Sequence, residues 1–582
     1  MLSVIAGLFC CLWPDDVRAA EDRKADVVLW NGKIYTADQA RSVRQSIAFT
    51  DNRIVAVGDY HEVASLIGPS TKVVDLGGKL VLPGLIDTHV HPIDGALNGT
   101  KCSLANVGGG KPPTLEALKP VIQDCLRERP GGENDWLVAV QLFNYGFKAT
   151  ARDLDNIERT RPVALEGNDG HTMWVNSRGL KLLPKKVNAM HRNACDVSGA
   201  PGLVVDGVGL VEEKKLLPEE LASLTAAVLD DMSANGITSL MDPRVGPNEE
   251  EVWLRLYRAG LVPMRVRMAL YLDEFVENNP YDDIDETVKQ LVKASKEGDV
   301  DPNLLRAGIV KVFADDEMEC PAQAAALLRP YLDGHGKPSN NSGKLDLDPK
   351  FAQLVAKLDA ASLAMHVHAI GDKAVQKTLD AFAAARAANG DKDNRHSIAH
   401  LQLVHPDDFP RFKEFGVIAD LQLLWAKRDP ANEEPLQPHL GPDRYRRLYP
   451  AGSLHAAGAM IVGGSDWDVT SYNPFCAFQT AVTRRGGKGK EPLNIKEAIP
   501  LATVVDAYTI NAAFALKQEA TTGSLEVGKR ADLVVLDRDI FMVDPDTIAD
   551  TKVLATYLDG RLVYTASANG NSSRMKRCDG SE

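Results

Sequence analysis

Short apolar segments that read as β-strands alternate with helical stretches through the middle of the chain. Their sequences are LVAV, PVALEG, GITSLMD, VRMALYL, GIVKVFAD, SLAMHVHAIG, HSIAHLQL, GVIADLQL and MIVGGSD. Strands separated by helices of roughly ten or more residues form parallel βαβ units, and about eight such units close into a barrel. The pattern predicts an α/β protein with a (β/α)8 TIM-type barrel over residues 81–511, interrupted by a cap insertion at about residues 99–209.

Both ends of the chain contain strand-rich segments separated by turn residues. Examples are ADVVLWNGKIYT and TKVVDLGGKLVLPG near the start, and GSLEVGKRADLVVLDRD and VLATYLDGRLVYT near the end. β-branched residues between Asn-Gly and Gly-Gly turns are typical of short strands. We expect residues 25–80 and 512–565 to form one composite β-sandwich domain beside the barrel, and the polar residues 566–582 to form a disordered tail.

The first 20 residues open with the apolar run MLSVIAGLFCCLW and end in small residues. A signal peptidase could cut after Ala19 or Ala20, so we expect a signal peptide and export to the periplasm or the outside of the cell. The apolar run carries no Lys or Arg before it. An apolar N-terminus that is not a signal, with a cytoplasmic protein, is therefore the alternative.

Six cysteines follow this segment, and none of them forms a CxxC pair. Their wide spacing argues against a zinc knuckle or a dense disulfide framework. An oxidising compartment would allow one or two disulfides, with Cys102 and Cys125 as the nearest pair. Buried free thiols are equally compatible with the sequence.

The charge balance constrains the partners. The chain has 80 acidic and 66 basic residues, a net charge of −14, which argues against a nucleic acid or an anionic membrane as the main partner. No later stretch approaches the roughly 20 apolar residues of a transmembrane helix, so we expect no membrane insertion of the mature chain. We expect a small-molecule substrate, and the sequence leaves a homodimer open.

The segment LPGLIDTHVH carries the strongest chemical signal. His89 and His91 are two residues apart, so on a strand their side chains share a face. Two imidazoles from one short segment are what a divalent transition metal binds. The apolar residues before the pair and the turn after it indicate the end of a barrel strand. A histidine pair on a solvated strand is the alternative.

Three further candidate side chains close other strand segments: His368, His400 and Asp466. Isolated core or surface positions do not readily explain histidines and an aspartate at so many strand ends. His366 lies two residues before His368 and faces the same way. The pattern alone therefore does not decide between these two histidines as ligand.

Lys311 lies in an apolar strand, GIVKVFAD, that would bury its ammonium group. Because an unpaired buried charge is costly, the group should shift its pKa or find a partner. A neutral amine could react with carbon dioxide to give a carbamate, which can bridge two metals. The alternative is an ion pair with Asp315, which shares the face of Lys311.

These residues and motifs resemble the amidohydrolase superfamily, in its branch of YtcJ-like and N-substituted formamide deformylase-like metal-dependent hydrolases. The resemblance extends over nearly all of residues 25–565 and rests on LPGLIDTHVHP, HTMWVNSRGL, VKVFAD, HAIGDKAV, SIAHLQ, GGSDW and GSLEVGKRADLVVLD. It implies a (β/α)8 barrel with a flanking β-sandwich. It also implies two metal sites: His89 and His91 with Asp466, then His368 and His400, bridged by a carboxylated Lys311. The HAIGD motif favours His368 over His366.

The resemblance implies hydrolysis of a non-peptide C–N bond, in an amide, N-formyl or N-acyl substrate. Asp466 would act as general base and then acid, and His171 in the cap would stabilise the oxyanion or orient the substrate, or else be a loop histidine with no such role. Zinc is the expected ion, one or two per chain, although Mn, Fe or Co fit similar ligands. The alternatives are a lactone, ester, phosphoester or carbamate hydrolase, and a non-catalytic binding protein on the same barrel.

Two departures from the family pattern lie at the rim: Asp315-Asp316-Glu317 after the lysine strand, and Trp467-Asp468 after Asp466. Both should alter the substrate pocket and leave the metal ligands in place. Trp174 and Asn176 are candidates for shaping the pocket or packing the cap, and Trp467, Tyr472 and Arg484 are further pocket candidates.

Overall fold

The computed structural model describes residues 24–566 and Cys578, except residues 106, 109, 110, 145, 168, 169, 171, 184–201, 206–210, 212–215, 277, 320, 321, 334 and 429. Only the backbone is described for residues 205 and 430–435. The predicted signal peptide and nearly all of the predicted disordered tail lie outside the described residues.

The strands, in chain order, are β1 Val27–Trp30, β2 Lys33–Tyr35, β3 Val43–Arg44, β4 Ser46–Thr50, β5 Arg53–Gly58, β6 Lys72–Asp75, β7 Leu80–Pro83, β8 Leu85–Asp87, β9 Cys102–Ser103, β10 Leu137–Leu142, β11 Val163–Gly167, β12 Thr172–Val175, β13 Leu203–Val205, β14 Ile237–Val245, β15 Arg265–Tyr271, β16 Leu305–Phe313, β17 Ala364–Ala369, β18 Ser397–His400, β19 Ile418–Leu421, β20 Met460–Gly463, β21 Leu533–Leu536, β22 Val553–Leu558 and β23 Arg561–Thr565.

The helices are α1 Tyr60–Ala64, α2 Pro92–Asn98, α3 Leu115–Glu128, α4 Ala151–Asp155, α5 Ser177–Leu182, α6 Pro218–Ala234, α7 Pro247–Arg258, α8 Leu272–Phe275, α9 Ile284–Gly298, α10 Phe351–Ala360, α11 Asp372–Asn389, α12 Phe409–Phe415, α13 Pro430–Tyr445 with a kink at Gly441, α14 Ala451–Ala456, α15 Pro474–Thr483, α16 Leu501–Ala507 and α17 Ile510–Ala515. Short 3-10 helices span Pro406–Asp408, Leu423–Trp425, Ile495–Glu497 and Pro545–Asp550.

Eight parallel strands form the central sheet in the order β20-β19-β18-β17-β16-β15-β14-β8. The two edge strands meet where the Thr88 backbone N–H donates to the Gly463 carbonyl at 3.2 Å, so the barrel is nearly closed. Buried apolar side chains of the strands pack against the surrounding helices in one large core. The predicted barrel fold is confirmed.

Two of the nine predicted strand segments, both within the insertion expected at about residues 99–209, are not barrel strands. LVAV and PVALEG form β10 and β11, which pair in parallel within a separate five-stranded sheet, β13-β12-β11-β10-β9. This sheet lies in the chain between β8 and β14, and a disulfide joins Cys102 of β9 to Cys125 of α3. A buried apolar strand in a parallel pair has the same sequence pattern in either sheet, so periodicity did not separate them.

Two further sheets flank the barrel, and one of them combines both ends of the chain. Its six strands run β23-β22-β21-β7-β2-β3, and a four-stranded sheet runs β5-β4-β1-β6. Apolar side chains from the two sheets share one core cluster, which includes Leu29, Phe49, Leu533 and Tyr557. The sandwich expected beside the barrel is therefore built from strands of both chain ends.

A buried ion network joins this sandwich to the barrel. Arg265, the first residue of β15, is 2% exposed and donates to Asp532 at 2.9 and 3.0 Å and to Asp559 at 2.7 Å. A second disulfide links Cys476 of α15 to Cys578.

Among the described residues, no helix has the length and apolar character needed to span a membrane.

Candidate metal centre

The predicted site residues lie at or just beyond the carboxyl ends of barrel strands. His89 and His91 follow β8, His368 is the fifth residue of β17, His400 ends β18, and Asp466 follows β20. In a parallel barrel these ends meet at one rim, where the loops that follow the strands can surround a ligand. The fold therefore brings residues from distant parts of the sequence together.

His89, His91 and Asp466 form the tightest group. Nε2 of His89 lies 3.5 Å from Oδ1 of Asp466, and Nε2 of His91 lies 3.3 Å from the same oxygen. One possible ligand atom from each residue lies within 4.8 Å of the other two. All three side chains are therefore close enough to hold one ion.

His400 and His368 lie beside this group. Nδ1 of His400 is 3.8 Å from Oδ2 of Asp466, and among the described residues this buried nitrogen has no hydrogen-bond partner. The ring centroids of His368 and His400 are 4.3 Å apart. Nε2 of His368 lies 3.9 Å from Oδ1 of Asp315. His400 is thus adjacent to Asp466, and His368 lies against His400.

His366 has different contacts from His368. Its Nδ1 is 2.7 Å from Oγ of Ser397, and its Nε2 is 2.9 Å from Nδ1 of His89. Both ring nitrogens therefore lie within hydrogen-bond distance of other side chains. A chain of contacts from Ser397 through His366 orients the ring of His89, as a supporting group does for a metal-binding histidine.

Lys311 is buried, with 1% of its surface exposed, and its Nζ lies 4.5 Å from the centre of the Phe313 ring. Burial lowers the pKa of Lys311 to about 7, although the charges of Asp466 and Asp420 act in the opposite direction. Asp315, the alternative ion-pair partner, instead accepts the backbone N–H groups of Ile370, Gly371 and Ala326. The amine is therefore partly neutral near pH 7.

The backbone around Asp466 is unusual. Asp466 has a φ of 52° and His400 a φ of 76°, which non-glycine residues seldom adopt. The Asp466 N–H donates to the His89 carbonyl at 2.7 Å, and a Cβ on Gly464 would lie 2.5 Å from Cβ of His89. Gly464 thus permits the close approach of the two segments that bring Asp466 to the histidines.

The protonation states of His89, His400 and Asp466 fit metal binding. His91 differs, since burial would lower its pKa but the hydrogen bond and charge of Asp466 raise it. Burial lowers the pKa of His400 to about 3 and that of His89 well below its usual value, so both rings are neutral at pH 7. Burial alone would raise the pKa of Asp466, but the hydrogen bond with His91 and nearby positive charges bring it below its ordinary value. Neutral imidazoles and an ionised carboxylate are the forms that bind a metal.

Three buried carboxyl groups near the centre were not selected from the sequence. Asp87 accepts the N–H groups of His89 and Ser465, at 3.2 and 3.0 Å, and burial raises its pKa to about 7. Asp242 accepts Nε1–H of Trp253 at 2.9 Å, and Asp420 joins His89 and His366 in a second compact group. Each lies in an apolar strand segment, which is the same sequence signal that singles out Lys311.

Three of the remaining candidate residues have structural roles, and a fourth is not described. His171 lies outside the described residues. Trp174 packs against Phe147, and Asn176 caps α5 and binds the backbone at and just before β11, so both stabilise the sheet β13-β12-β11-β10-β9. Arg484 is fully buried and donates to the carbonyls of Tyr449 and Leu448 at 3.0 Å, which is a structural role.

Trp467 contributes to the rim directly after Asp466. Its carbonyl accepts the His91 N–H at 2.8 Å, and its ring packs edge-on against Tyr472. Tyr472 in turn hydrogen-bonds Asp231 of α6. Trp467 therefore forms part of the wall beside His91.

The donor set fits a divalent transition metal. Imidazole nitrogens and a carboxylate oxygen are ligands for zinc and for neighbouring first-row ions. The unpartnered Nδ1 of buried His400 is an atom that a bound ion would satisfy. His89, His91 and Asp466 would hold one ion, and His400 lies close enough to contribute to the same centre or a second one.

A sequence model of the Amidohydrolase family matches residues 72–564. Three curated relatives match 93% of this chain. Protein LONG AFTER FAR-RED 3 of Arabidopsis thaliana is 30% identical and is covered over 92% of its length. The putative amidohydrolase YtcJ of Bacillus subtilis (strain 168) and the N-substituted formamide deformylase of Arthrobacter pascens are each 26% identical, covered over 99% and 98%.

Solved structures have the same fold. An uncharacterised metal-dependent hydrolase from Pyrococcus furiosus superimposes with a TM-score of 0.65 at 23% identity, over 88% of this chain and 99% of that one. The atrazine chlorohydrolase TrzN from Arthrobacter aurescens TC1, complexed with zinc, gives a TM-score of 0.51 at 14% identity, over 92% and 94% of the two chains.

Proposed function

The chain belongs to the amidohydrolase family and is a metal-dependent hydrolase, and from that premise we propose that it cleaves a non-peptide C–N bond. The substrate class is a small amide, an N-formyl amine or an N-acyl compound. The observation that carries this proposal is the convergence of His89, His91 and Asp466 at the barrel rim. The similarity to an N-substituted formamide deformylase over nearly the whole chain favours the C–N bond.

The metal would be held by His89, His91 and Asp466, with His368, His400 and Lys311 around a second position. A divalent ion supplies Lewis acidity there, polarising a carbonyl and lowering the pKa of water. We propose zinc, which suits the His-rich donor set. The zinc-containing structural neighbour supports that choice. Nδ1 of His400 lies 3.8 Å from Asp466, whereas both ring nitrogens of His366 lie within hydrogen-bond distance of other side chains. These contacts support His368 and His400 as the histidine ligands of the second position.

Asp466 is the proposed general base. Its carboxylate is ionised at neutral pH, and His91 and His89 contact it through Oδ1. It would accept the proton that the attacking water loses, and then return that proton to the leaving nitrogen. The hydrogen bond from the Asp466 backbone N–H to the His89 carbonyl would hold the carboxylate in place during both proton transfers. His171 is retained as a proposed oxyanion or orienting residue.

Lys311 is the proposed bridging ligand after carboxylation. A neutral Nζ attacks carbon dioxide, forms one N–C bond and releases one proton, which leaves an anionic carbamate. Burial of Lys311 and its lowered pKa support this step, because they supply the neutral amine near pH 7. The carbamate would also replace a costly buried cation by an anion facing the metal.

We also propose that the protein is exported. The disulfides Cys102–Cys125 and Cys476–Cys578 support this location, because such bonds persist in oxidising compartments. Mass spectrometry of the protein from its native host should then find a mature N-terminus after Ala19 or Ala20. A cytoplasmic protein that retains Met1 would contradict export.

A substrate panel tests the proposed bond. Metal-loaded protein is assayed with matched N-formyl amines, N-acyl amino acids, lactones, carboxylic and phosphate esters, and carbamates, with Asp466→Asn as the control. The proposal expects the N-formyl or N-acyl compounds to have the highest kcat/KM, and expects Asp466→Asn to abolish turnover. Turnover of lactones or esters without amide turnover would overturn the C–N assignment. A metal-loaded protein with no hydrolytic activity would favour a binding role.

A further inference from the structure

A cavity of about 210 Å³ lies at the amino-terminal end of the barrel strands, away from the metal centre. It is bordered by the first residues of β16 and β17, the third residue of β15, the last turn of α9 and the segment after α17. Asp466 and the predicted metal-binding residues lie toward the opposite ends of the strands. The cavity is therefore separate from the proposed hydrolytic site.

The ionisable side chains of this cavity are mostly cationic. They are Arg267, Lys296, Arg306 and Lys517, against one carboxylate, Asp299. Arg306 is paired with Asp299 at 3.1 Å, which leaves three cations without an ion pair among the described residues. In a chain with a net charge of −14, such a concentration of positive charge focuses the local field on an anion.

Arg267 is the central residue of the cluster. It is 4% exposed, and its guanidinium makes one hydrogen bond among the described residues, from Nε to the Leu516 carbonyl at 2.9 Å. The buried Nη1 has no hydrogen-bond partner within that part of the chain. Burial and the charge of Arg306 lower the pKa of Arg267 to about 9, so the group is still charged at pH 7. A buried charged fork with unused donors is a binding element for a carboxylate or a phosphate.

The backbone beside Arg267 makes room for a ligand. The pairing of β15 with β16 passes from Arg267–Arg306 to Ala269–Ile309, so β16 has one additional residue there, a β-bulge. Gly308 in the bulge has a φ of 119°, and a Cβ added to it would meet only Ser295 Oγ, at 3.6 Å. The strand wall is thus open at this point.

We propose that this cavity binds a small dianion, a phosphate-type group or a short dicarboxylate, through Arg267 with Lys296 and Lys517. The volume supports a small ligand, because sites for drug-sized molecules start at roughly 300 Å³. Lys296 and Lys517 are exposed and form the mouth of the cavity, whereas Arg267 lies at its base. The ligand would enter from solvent between the lysines and meet the guanidinium last.

Isothermal titration calorimetry tests this site. The metal-loaded protein is titrated with inorganic phosphate in one series and with malonate in another, and the dissociation constant of each anion is measured. Lys296→Glu and Arg267→Met should weaken binding by roughly tenfold or more, because each removes a charge-assisted contact. Lys293→Glu is the matched control, since it makes the same charge change on α9 but does not line the cavity. It should bind like the wild type. The anion with the higher affinity, phosphate or malonate, indicates whether the cavity prefers a phosphate-type group or a dicarboxylate.

Two results would overturn the proposal. One is the absence of saturable binding of both anions to the wild-type protein. The other is binding that Lys296→Glu leaves unchanged, which would place the anion outside this cavity. Because Lys296 is exposed, Lys296→Glu should fold normally and tests the proposal even if Arg267→Met fails to fold.

Discussion

At the scale of single residues, the metal centre consists of ionisable side chains held almost entirely out of water. His89 and Lys311 are each 1% exposed, and Asp466 is 6% exposed. Burying such groups without a partner is costly, so a compact cluster of them indicates a ligand that compensates for the cost. The left-handed backbone of His400 and Asp466 adds strain of the kind that concentrates at functional sites.

Gly464 allows a direct test of how this cluster is assembled. Gly464→Val should reduce the bound metal per chain several-fold while the circular dichroism spectrum stays native, because the new side chain would displace His89. Elemental analysis of purified protein measures the effect. Gly132→Ala is the control, since a Cβ there would meet only Asp135 Oδ2, at 3.5 Å. Full metal content in Gly464→Val would show that the close approach is not required.

Lys311 offers a spectroscopic prediction. Protein incubated with 13C-bicarbonate and zinc should show a carbamate carbon signal, because the neutral amine is available near pH 7. Lys311→Gln should lack that signal and lose at least tenfold in activity, as expected for loss of a metal-binding group or its support. An unlabelled Lys311 in a fully active, metal-loaded enzyme would contradict the carbamate.

Much of the metal centre could be predicted from ionisable residues that lie within or at the end of apolar strand segments. Lys311 in an apolar strand and the pair His89 and His91 at a strand end are such cases, and the structure brings them to one rim. Asp242 and Asp420 carry the same signal, an ionisable group within an apolar segment. The pairing of Cys476 with Cys578, across 102 residues, could not be read from the sequence because it depends on tertiary contact.

At the scale of elements, a polar cluster holds α10, α11 and the start of β18 together. Asp359, which is 3% exposed, accepts hydrogen bonds from Asn389 at 2.6 Å and from Asn394 at 2.5 Å, and lies 3.1 Å from Nε2 of His396. Burial alone would raise the pKa of Asp359, but these bonds lower it to about 2. The carboxylate therefore stabilises the folded state.

This cluster predicts a pH-dependent stability difference. A pKa lower in the folded state than the roughly 3.9 of an unfolded Asp contributes stability above pH 4, lost as the pH falls toward 2. Asp359→Asn should thus reduce the free energy of unfolding by about 2 kcal/mol at pH 7, and by about half of that near pH 3. Urea denaturation at both pH values measures this. An equal loss at the two would contradict the assigned role of the ionised carboxylate.

The order of the barrel strands was predictable because each strand is a short apolar run followed by a polar end. The strand pattern alone did not assign β10 and β11 to another sheet, since each begins with an apolar run and the two pair in parallel like barrel strands. Only the sheet that a strand joins distinguishes the two cases. That choice depends on contacts far apart in the sequence, which periodicity does not report.

At the scale of the whole molecule, the ion network of Arg265 connects the barrel with the sandwich. Arg265→Met should destabilise the protein by about 3–5 kcal/mol, because Asp532 and Asp559 would lose a buried counter-charge. The double variant with Asp532→Asn should recover part of that loss. Calorimetry of both variants checks this, and a double variant less stable than Arg265→Met alone would contradict the explanation.

The hydrolytic role of the rim is tested most directly by following activity and bound metal together. Wild-type protein is stripped with a chelator and then titrated with zinc, while turnover of the best N-formyl or N-acyl substrate is recorded beside His91→Ala and Asp466→Asn. Activity should fall with the metal and return in proportion to zinc bound. His91→Ala should bind zinc weakly, and Asp466→Asn should remain inactive at every zinc concentration. Turnover that is independent of bound metal, or that survives in Asp466→Asn, would contradict a metal-dependent hydrolase acting through this centre.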